Sequence, residues 1–309
     1  MENNMMLNLE PNVVEGFDIG NAYANFNGIR FATRVRVGKL LNVGAVKDEV
    51  HQVSKDGVDY IVGDALGKSV MGENKYDTDA FKICLLTAIA LRGGRKRTIR
   101  AKICVGVPIE NFDRKAEELA NLVNSWGTEY ITVNDNNYKI DIVDFNVFIE
   151  GALPVLTEDE SSILAIDIGG GTVNVSMWDE MSLVDFGTIP ASITNVYSNI
   201  ATYLNRKHGG SFTSADVEKL IMKNKQTTFI NQVETDISEI YTFVKEFVDG
   251  VVSSMEESKF KMNQVEKIEI FGGGAISTFE YFKKHFPRAS MVDEPQLVNS
   301  KILKLVAKR

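Results

Sequence analysis

The tripeptide Asp-Ile-Gly occurs twice, in FDIGN (Phe17 to Asn21) and in AIDIGGGT (Ala165 to Thr172), each time where an apolar run meets a tight turn. That repetition points to two similar half-domains facing one phosphate-bearing ligand. Glycine suits such turns because it takes positive φ and has no Cβ, so backbone N–H groups can turn inward and approach phosphate oxygens closely. The aspartates imply something further. A carboxylate beside a polyphosphate is repulsive unless a cation lies between them, so Asp18 and Asp167 together imply Mg²⁺, held through its waters. A third glycine cluster, IEIFGGGAIS at Ile268 to Ser277, again follows an apolar strand pattern. One such loop is weak evidence, whereas three strand-to-glycine turns in this order are specific.

Composition bounds the rest. A chain of 309 residues that is 44% hydrophobic and 25% charged can bury two substantial cores, so two domains are expected. A net charge of −8 argues against direct coating of nucleic acid. Cys84 and Cys104 both lie in apolar runs and read as reduced core residues, not as a disulfide or metal pair. His51, His208 and His285 are scattered and read as structural. The opening MENNMMLNLEP lacks a basic region and a long apolar stretch, and no later run approaches the ~20 residues of a membrane span. A cytoplasmic protein with no membrane partner is the expectation.

Strand and helix patterns alternate along the chain. Val13 to Asp18 reads as a strand, and Ala22 to Ala32, with Asn27-Gly28 at its turn, as a hairpin. Helical spacing marks 78–91 and 112–126, and Gly127 is placed to cap the second of these. The basic stretch RGGRKRTIRAK (Arg92 to Lys102) reads as a loop, solvated or meeting an acidic surface on another subunit. Strands follow at 103–108 and 139–149, the latter running into Glu150-Gly151. The second half restarts with a meander at 163–167, 173–178 and 183–189. Helices follow from Ile193 to Gly209, from the Thr213/Asp216 cap through Lys223, and over 237–255, and a strand at 267–271 leads to the third glycine turn.

With these motifs the sequence resembles the actin, heat-shock chaperone and sugar kinase superfamily of ATPases. FDIGN resembles its first phosphate loop, IDIGGGT its second and IFGGGAIS its adenosine loop. CVGVPIENFDRK (Cys104 to Lys115), DYIVGDAL (Asp59 to Leu66) and DEPQLVNSKILKL (Asp293 to Leu305) resemble the ParM and AlfA group of plasmid-segregation actins. The resemblance implies an α/β, actin-like fold: two similar domains of mixed sheet plus helices with a nucleotide cleft between them. Domain I would span residues 1–149 and domain II residues 150–294, with a C-terminal helix over 295–309 packing back on domain I.

Carried over by position, Asp18 and Asp167 would organise Mg²⁺. Gly20, Asn21, Gly169, Gly170, Gly171 and Thr172 would cradle the β and γ phosphates of ATP, or of GTP. Gly272, Gly273, Gly274 and Ala275 would cover base and ribose, and Glu218 with Lys219 would form an adenosine-side pair. Glu150 would orient the attacking water. Where the family usually has a lysine seven residues after the first aspartate, this chain has Asn25. Arg30 could replace that lysine if the hairpin returned it to the cleft, although a solvated strand residue is the simpler expectation.

The functional expectation is an ATPase that assembles head to tail into filaments and positions plasmid DNA through a ParR-like adaptor on centromere DNA. Two other classes share the phosphate loops. A membrane-associated actin of the MreB or FtsA kind would use the basic, apolar C-terminal SKILKLVAKR as an anchor. A small-molecule kinase would need a second pocket with its own general base, for which the sequence offers no candidate.

Overall fold

The computed structural model describes residues 10–40, 49–64, 66–69, 75–258, 260 and 262–309. The opening residues 1–9 and Ala65 of DYIVGDAL, both used above, lie outside the described residues.

Each half is built on a strand that is buried almost throughout because both of its faces are covered. In the first half, Val13–Ile19 pairs in parallel with Thr98–Val107, which pairs in parallel with Asn136–Ile149. On its other edge it pairs antiparallel with Tyr23–Phe26, returning through Asn27 and Gly28, both at positive φ, to Ile29–Ala32. Among the described residues this sheet has ten strands, and the helices Asp79–Gly93 and Phe112–Asn124 pack on it. In the second half, Ile163–Ile168 pairs antiparallel with Val173–Asp179 and in parallel with Lys267–Phe271, inside a five-stranded sheet. Its core takes buried faces from the helices Ile193–His208, Ser214–Met222, Ile240–Glu257 and Ala275–His285.

The two halves share one construction. Asp18 faces Asn25 across the first antiparallel pair, and Asp167 faces Asn174 across the second. The Gly20 N–H donates to the Tyr23 carbonyl at 3.0 Å and the Gly169 N–H to the Thr172 carbonyl at 2.9 Å, closing both turns in the same way. Asn25 is therefore the register equivalent of Asn174.

The stretch from Arg92 to Lys102 is not a loop. It comprises the end of the Asp79–Gly93 helix, a short turn and the first half of the Thr98–Val107 strand. Ile99 and Ala101 are buried while Arg100 and Lys102 alternate outward, the period-2 signature of a half-buried strand. Its charges are largely spent internally. Arg92 pairs with the buried Glu15 at 2.5 Å, Lys102 meets Asp144 at 3.2 Å, and Arg97 stacks 5.2 Å from the Tyr138 ring. A hairpin of Thr227–Ile230 and Val233–Asp236 also escapes the sequence pattern, because it turns on Asn231-Gln232 at positive φ with no glycine.

The final helix, Val298–Lys308, lies across Val13–Ile19 and Thr98–Val107 and buries Ile302, Leu303 and Ala307. Lys304 reaches the same Glu15 oxygen as Arg92, at 3.1 Å. The close approach depends on Gly16, where a Cβ would sit 2.2 Å from the Lys304 nitrogen and 2.5 Å from the Leu303 carbonyl carbon. Backbone cannot yield as a side-chain tip can, so Gly16→Ala is expected to destabilise the fold by about 3 kcal/mol. An unchanged urea midpoint would show that the helix can move away at little cost.

Candidate functional site

Five segments converge on one cleft. The first acidic turn brings Asp18, Gly20 and Asn21. The second brings Asp167, Gly169, Gly170, Gly171 and Thr172. The third glycine turn adds Gly272 and Gly273, the end of the long Asn136–Ile149 strand adds Glu150, and the start of the C-terminal helix adds Asn299. Gly274 and Ala275 lie behind this wall. A Cβ on Gly274 would sit 2.5 Å from the Ile168 Cγ2, and Ala275 is fully buried. Lys219 is exposed and, like Glu218, lies outside the cleft lining.

The cleft is narrow. Its cavity is about 90 Å³, well below the ~300 Å³ of the smallest ordinary ligand pockets. The two turns nearly touch: a Cβ on Gly171 would lie 2.4 Å from the Asn21 amide, and one on Gly170 would lie 2.8 Å from the Ala22 Cβ. A latch spans the halves beside them. Glu218, on the Ser214–Met222 helix, accepts from the Tyr23 hydroxyl at 2.7 Å and from the Arg30 guanidinium at 3.1 Å. Arg30 also stacks 3.4 Å from the Tyr23 centroid and donates to Gln296 at 2.8 Å. It is thus an inter-domain tether and not a solvated strand residue. A larger open depression of about 450 Å³, around Ser54, Lys55, Tyr130 and Tyr138, carries the Asp56-Gly57 hairpin turn but no carboxylate cluster.

Charge in the cleft is concentrated and poorly solvated. Burial, with the charges of Glu150 and then Asp167 adding to it, pushes the Asp18 carboxyl up to about 8. Burial likewise pushes Asp167 up to about 7, with Glu150 reinforcing it and a hydrogen bond from Asn299 opposing it. That bond runs from the Asn299 amide to Asp167 Oδ2 at 2.8 Å, while Asn299 Oδ1 accepts from the Gly151 N–H at 3.0 Å. One side chain therefore ties the second acidic turn to the turn that carries Glu150. Asn25 donates to Asp18 at 3.3 Å, and its own Oδ1 is buried without a hydrogen-bond partner.

These features fit a hydrated divalent cation. Two buried carboxylates repelled by a third would be relieved by positive charge between them, and the orphaned Asn25 oxygen could accept from a metal-bound water. Among the described residues no group of three or more acidic, histidine or cysteine ligands forms a direct metal shell. Water and ligand oxygens would therefore complete the coordination.

Lys75 also lines the cleft, a residue the sequence pattern did not single out. It begins the Lys75–Asp77 turn before the Asp79–Gly93 helix and is 6% exposed. Its ammonium donates to the Ile19 carbonyl at 3.1 Å. Burial holds that ammonium below the ordinary lysine value, against the opposing charges of Glu150 and Asp18.

Two sheet-and-helix halves that repeat one acidic glycine turn and press the two copies against a shared cleft define an actin-fold protein. Residues 16–152 match the family model for the N-terminal domain of actin-like proteins, and residues 165–284 match that for the C-terminal part of the archaeal actin homologue, MreB-like. The chain belongs to the actin-like proteins. No curated protein matches its sequence. Among solved structures it is similar to a 15-stranded ParM filament from Clostridium botulinum, with a TM-score of 0.78, 16% identity, and 96% of this chain and 99% of that one covered. It is similar to Ta0583, an archaeal actin homologue in complex with ADP, with a TM-score of 0.76, 15% identity and coverages of 96% and 99%. The actin-like protein Alp7A follows at 0.71 and 15%, with 95% of each chain covered. At these identities the likeness is one of fold.

Proposed function

We propose that this protein is a nucleotide-dependent, filament-forming ATPase that segregates or positions plasmid DNA. The observation that carries the reading is the paired arrangement of the two acidic glycine turns, equal in register, with Glu150 beside them. Support for assembly comes from the fold shared with a ParM filament, and support for nucleotide from the fold shared with an ADP complex.

The nucleotide, ATP or GTP, would sit with its phosphates between the two turns. The Gly20, Asn21 and Gly169 to Thr172 backbone would meet the phosphates, and Gly272 to Ala275 would lie on the adenosine side. Mg²⁺ would be held by Asp18 and Asp167 through water, supplying the positive charge that lets phosphates and carboxylates share one cleft. Glu150 would accept the proton of the attacking water and hold it in line. Among the described residues nothing hydrogen-bonds its carboxylate, which leaves it free to do so. Because the two turns nearly touch, phosphates bound between them would part them, which would couple binding to the relative placement of the halves. Glu218 is held by the Tyr23 and Arg30 latch, so it would act on the nucleotide by reporting closure as much as by contact.

Head-to-tail contacts between copies would give an open filament, with hydrolysis weakening them and a ParR-like adaptor linking the polymer to centromere DNA. No described helix is long and apolar enough to cross a membrane. The C-terminal helix spends Ile302, Leu303 and Ala307 on its own fold, which disfavours its use as a membrane anchor. The test is sedimentation and negative-stain microscopy of purified protein with ATP, GTP, ADP or no nucleotide. Filaments confined to triphosphate conditions support the reading, and a protein that stays monomeric in all four contradicts it.

A further inference from the structure

We propose that Lys75 is the cation that meets the terminal phosphoryl group of a nucleoside triphosphate in this cleft, the task for which position 25 carries only a neutral amide. The proposal rests on the nucleotide-binding reading above and assigns its missing charge.

Burying an ammonium is costly unless it is paired or well hydrogen-bonded. Lys75 is buried on the same wall as Asp18, Gly20, Asn21 and Glu150, yet among the described residues no carboxylate is in ion-pair contact with it. Among the described residues its ammonium makes one hydrogen bond, to the Ile19 carbonyl next to Gly20. An ammonium carries three donors, so two remain for an acceptor in the cleft. Its position is also built. The Thr78 hydroxyl donates to the Lys75 carbonyl at 2.6 Å and accepts from the Phe81 N–H at 3.2 Å, so the N-cap of the Asp79–Gly93 helix anchors the lysine backbone. The Tyr76 ring lies 4.8 Å from the ammonium, a cation–π contact.

On the same half, Asn25 stands in the register position of Asn174 and spends its amide on Asp18. The first turn thus contributes no positive charge of its own to a phosphate. Lys75 reaches the same place from a different segment of the chain, held at the carbonyl that immediately precedes the turn. An ammonium with unspent donors beside two glycine-rich turns is the chemistry of a phosphate subsite. If it served only to offset the charges of Asp18 and Glu150, its loss would weaken ATP and ADP alike.

The test is calorimetric titration of wild type, Lys75→Met, Asn25→Lys and the double variant with Mg-ATP and Mg-ADP. Lys75→Met is expected to weaken ATP roughly 10- to 100-fold, the scale of a charge-assisted hydrogen bond, and ADP much less. Adding Asn25→Lys should recover most of that loss. The nucleotide-free Lys75→Met protein should melt at or above the wild-type temperature, because a buried charge has gone. An unchanged ATP-to-ADP affinity ratio in Lys75→Met, or a double variant as weak as the single one, overturns the proposal. A wild type that binds neither nucleotide sinks the nucleotide reading itself, which separates the two failures. Should Lys75→Met not fold, Lys75→Arg against Lys75→Gln carries the same contrast, with tight ATP binding expected only for arginine and equal binding by the two overturning it.

Discussion

Replacing Glu150 with alanine is expected to lower ATP turnover by roughly 10²- to 10⁴-fold while leaving nucleotide binding and assembly intact. The separation follows from where Glu150 stands. Its backbone N–H is held by the Val107 carbonyl at 2.9 Å and the next turn by Asn299, so the chain path survives loss of the carboxylate. The side chain packs near Gly106, where a Cβ would sit 2.9 Å from the Glu150 Cγ, so truncation opens space without creating a clash. Removing its charge also relieves Asp18 and Asp167, which Glu150 now pushes toward protonation. Binding of a metal-nucleotide should therefore be equal or tighter. With triphosphate-bound subunits persisting, filaments should form at similar or lower protein concentration and disassemble much more slowly. Phosphate release at the wild-type rate would remove Glu150 from the chemistry, and ATP binding without assembly would make its role structural.

Asp167→Ala is expected to weaken nucleotide binding in the presence of Mg²⁺ by roughly 10- to 100-fold and to change it little when the metal is chelated. The asymmetry is the informative part. Without a cation, the Asp167 carboxylate repels phosphate, so its loss should be neutral or mildly favourable; with one, the same carboxylate holds the metal's waters. The fold should persist, since deleting a buried carboxyl that is already pushed toward its neutral form removes a desolvation cost. The Asn299 amide loses a partner in exchange. Calorimetry with and without EDTA checks both halves. An equal loss in the two conditions would mean that Asp167 contacts the nucleotide directly.

What the sequence made legible was local. Each acidic glycine turn is encoded within eight residues, by an apolar run that must be buried, a carboxylate, and glycines that let the chain reverse at once, and both turns stand where the pattern put them. The capping box at Thr213 and Asp216 and the hairpin at Asn27-Gly28 were equally readable, because their hydrogen bonds close over three or four residues. What stayed hidden was contact at a distance. Asn299 reaches Asp167 across 132 positions and Tyr23 reaches Glu218 across 195, so neither partner carries a local mark. Lys75 sits in a polar stretch where a lysine ordinarily faces solvent, and only the packing of the first sheet against its turn buries it. The basic run after Arg92 misled for the opposite reason: its charges suggested a solvated loop, while the alternating Ile99 and Ala101 already spelled a strand.

The central claim is that nucleotide turnover and assembly are coupled in one actin-fold cleft. Light scattering and phosphate release recorded together on wild-type protein after adding Mg-ATP test it most directly. The account predicts that scattering rises first, that phosphate appears as polymer accumulates, and that scattering decays once ATP is spent. Steady phosphate release with no rise in scattering at any protein concentration would contradict it.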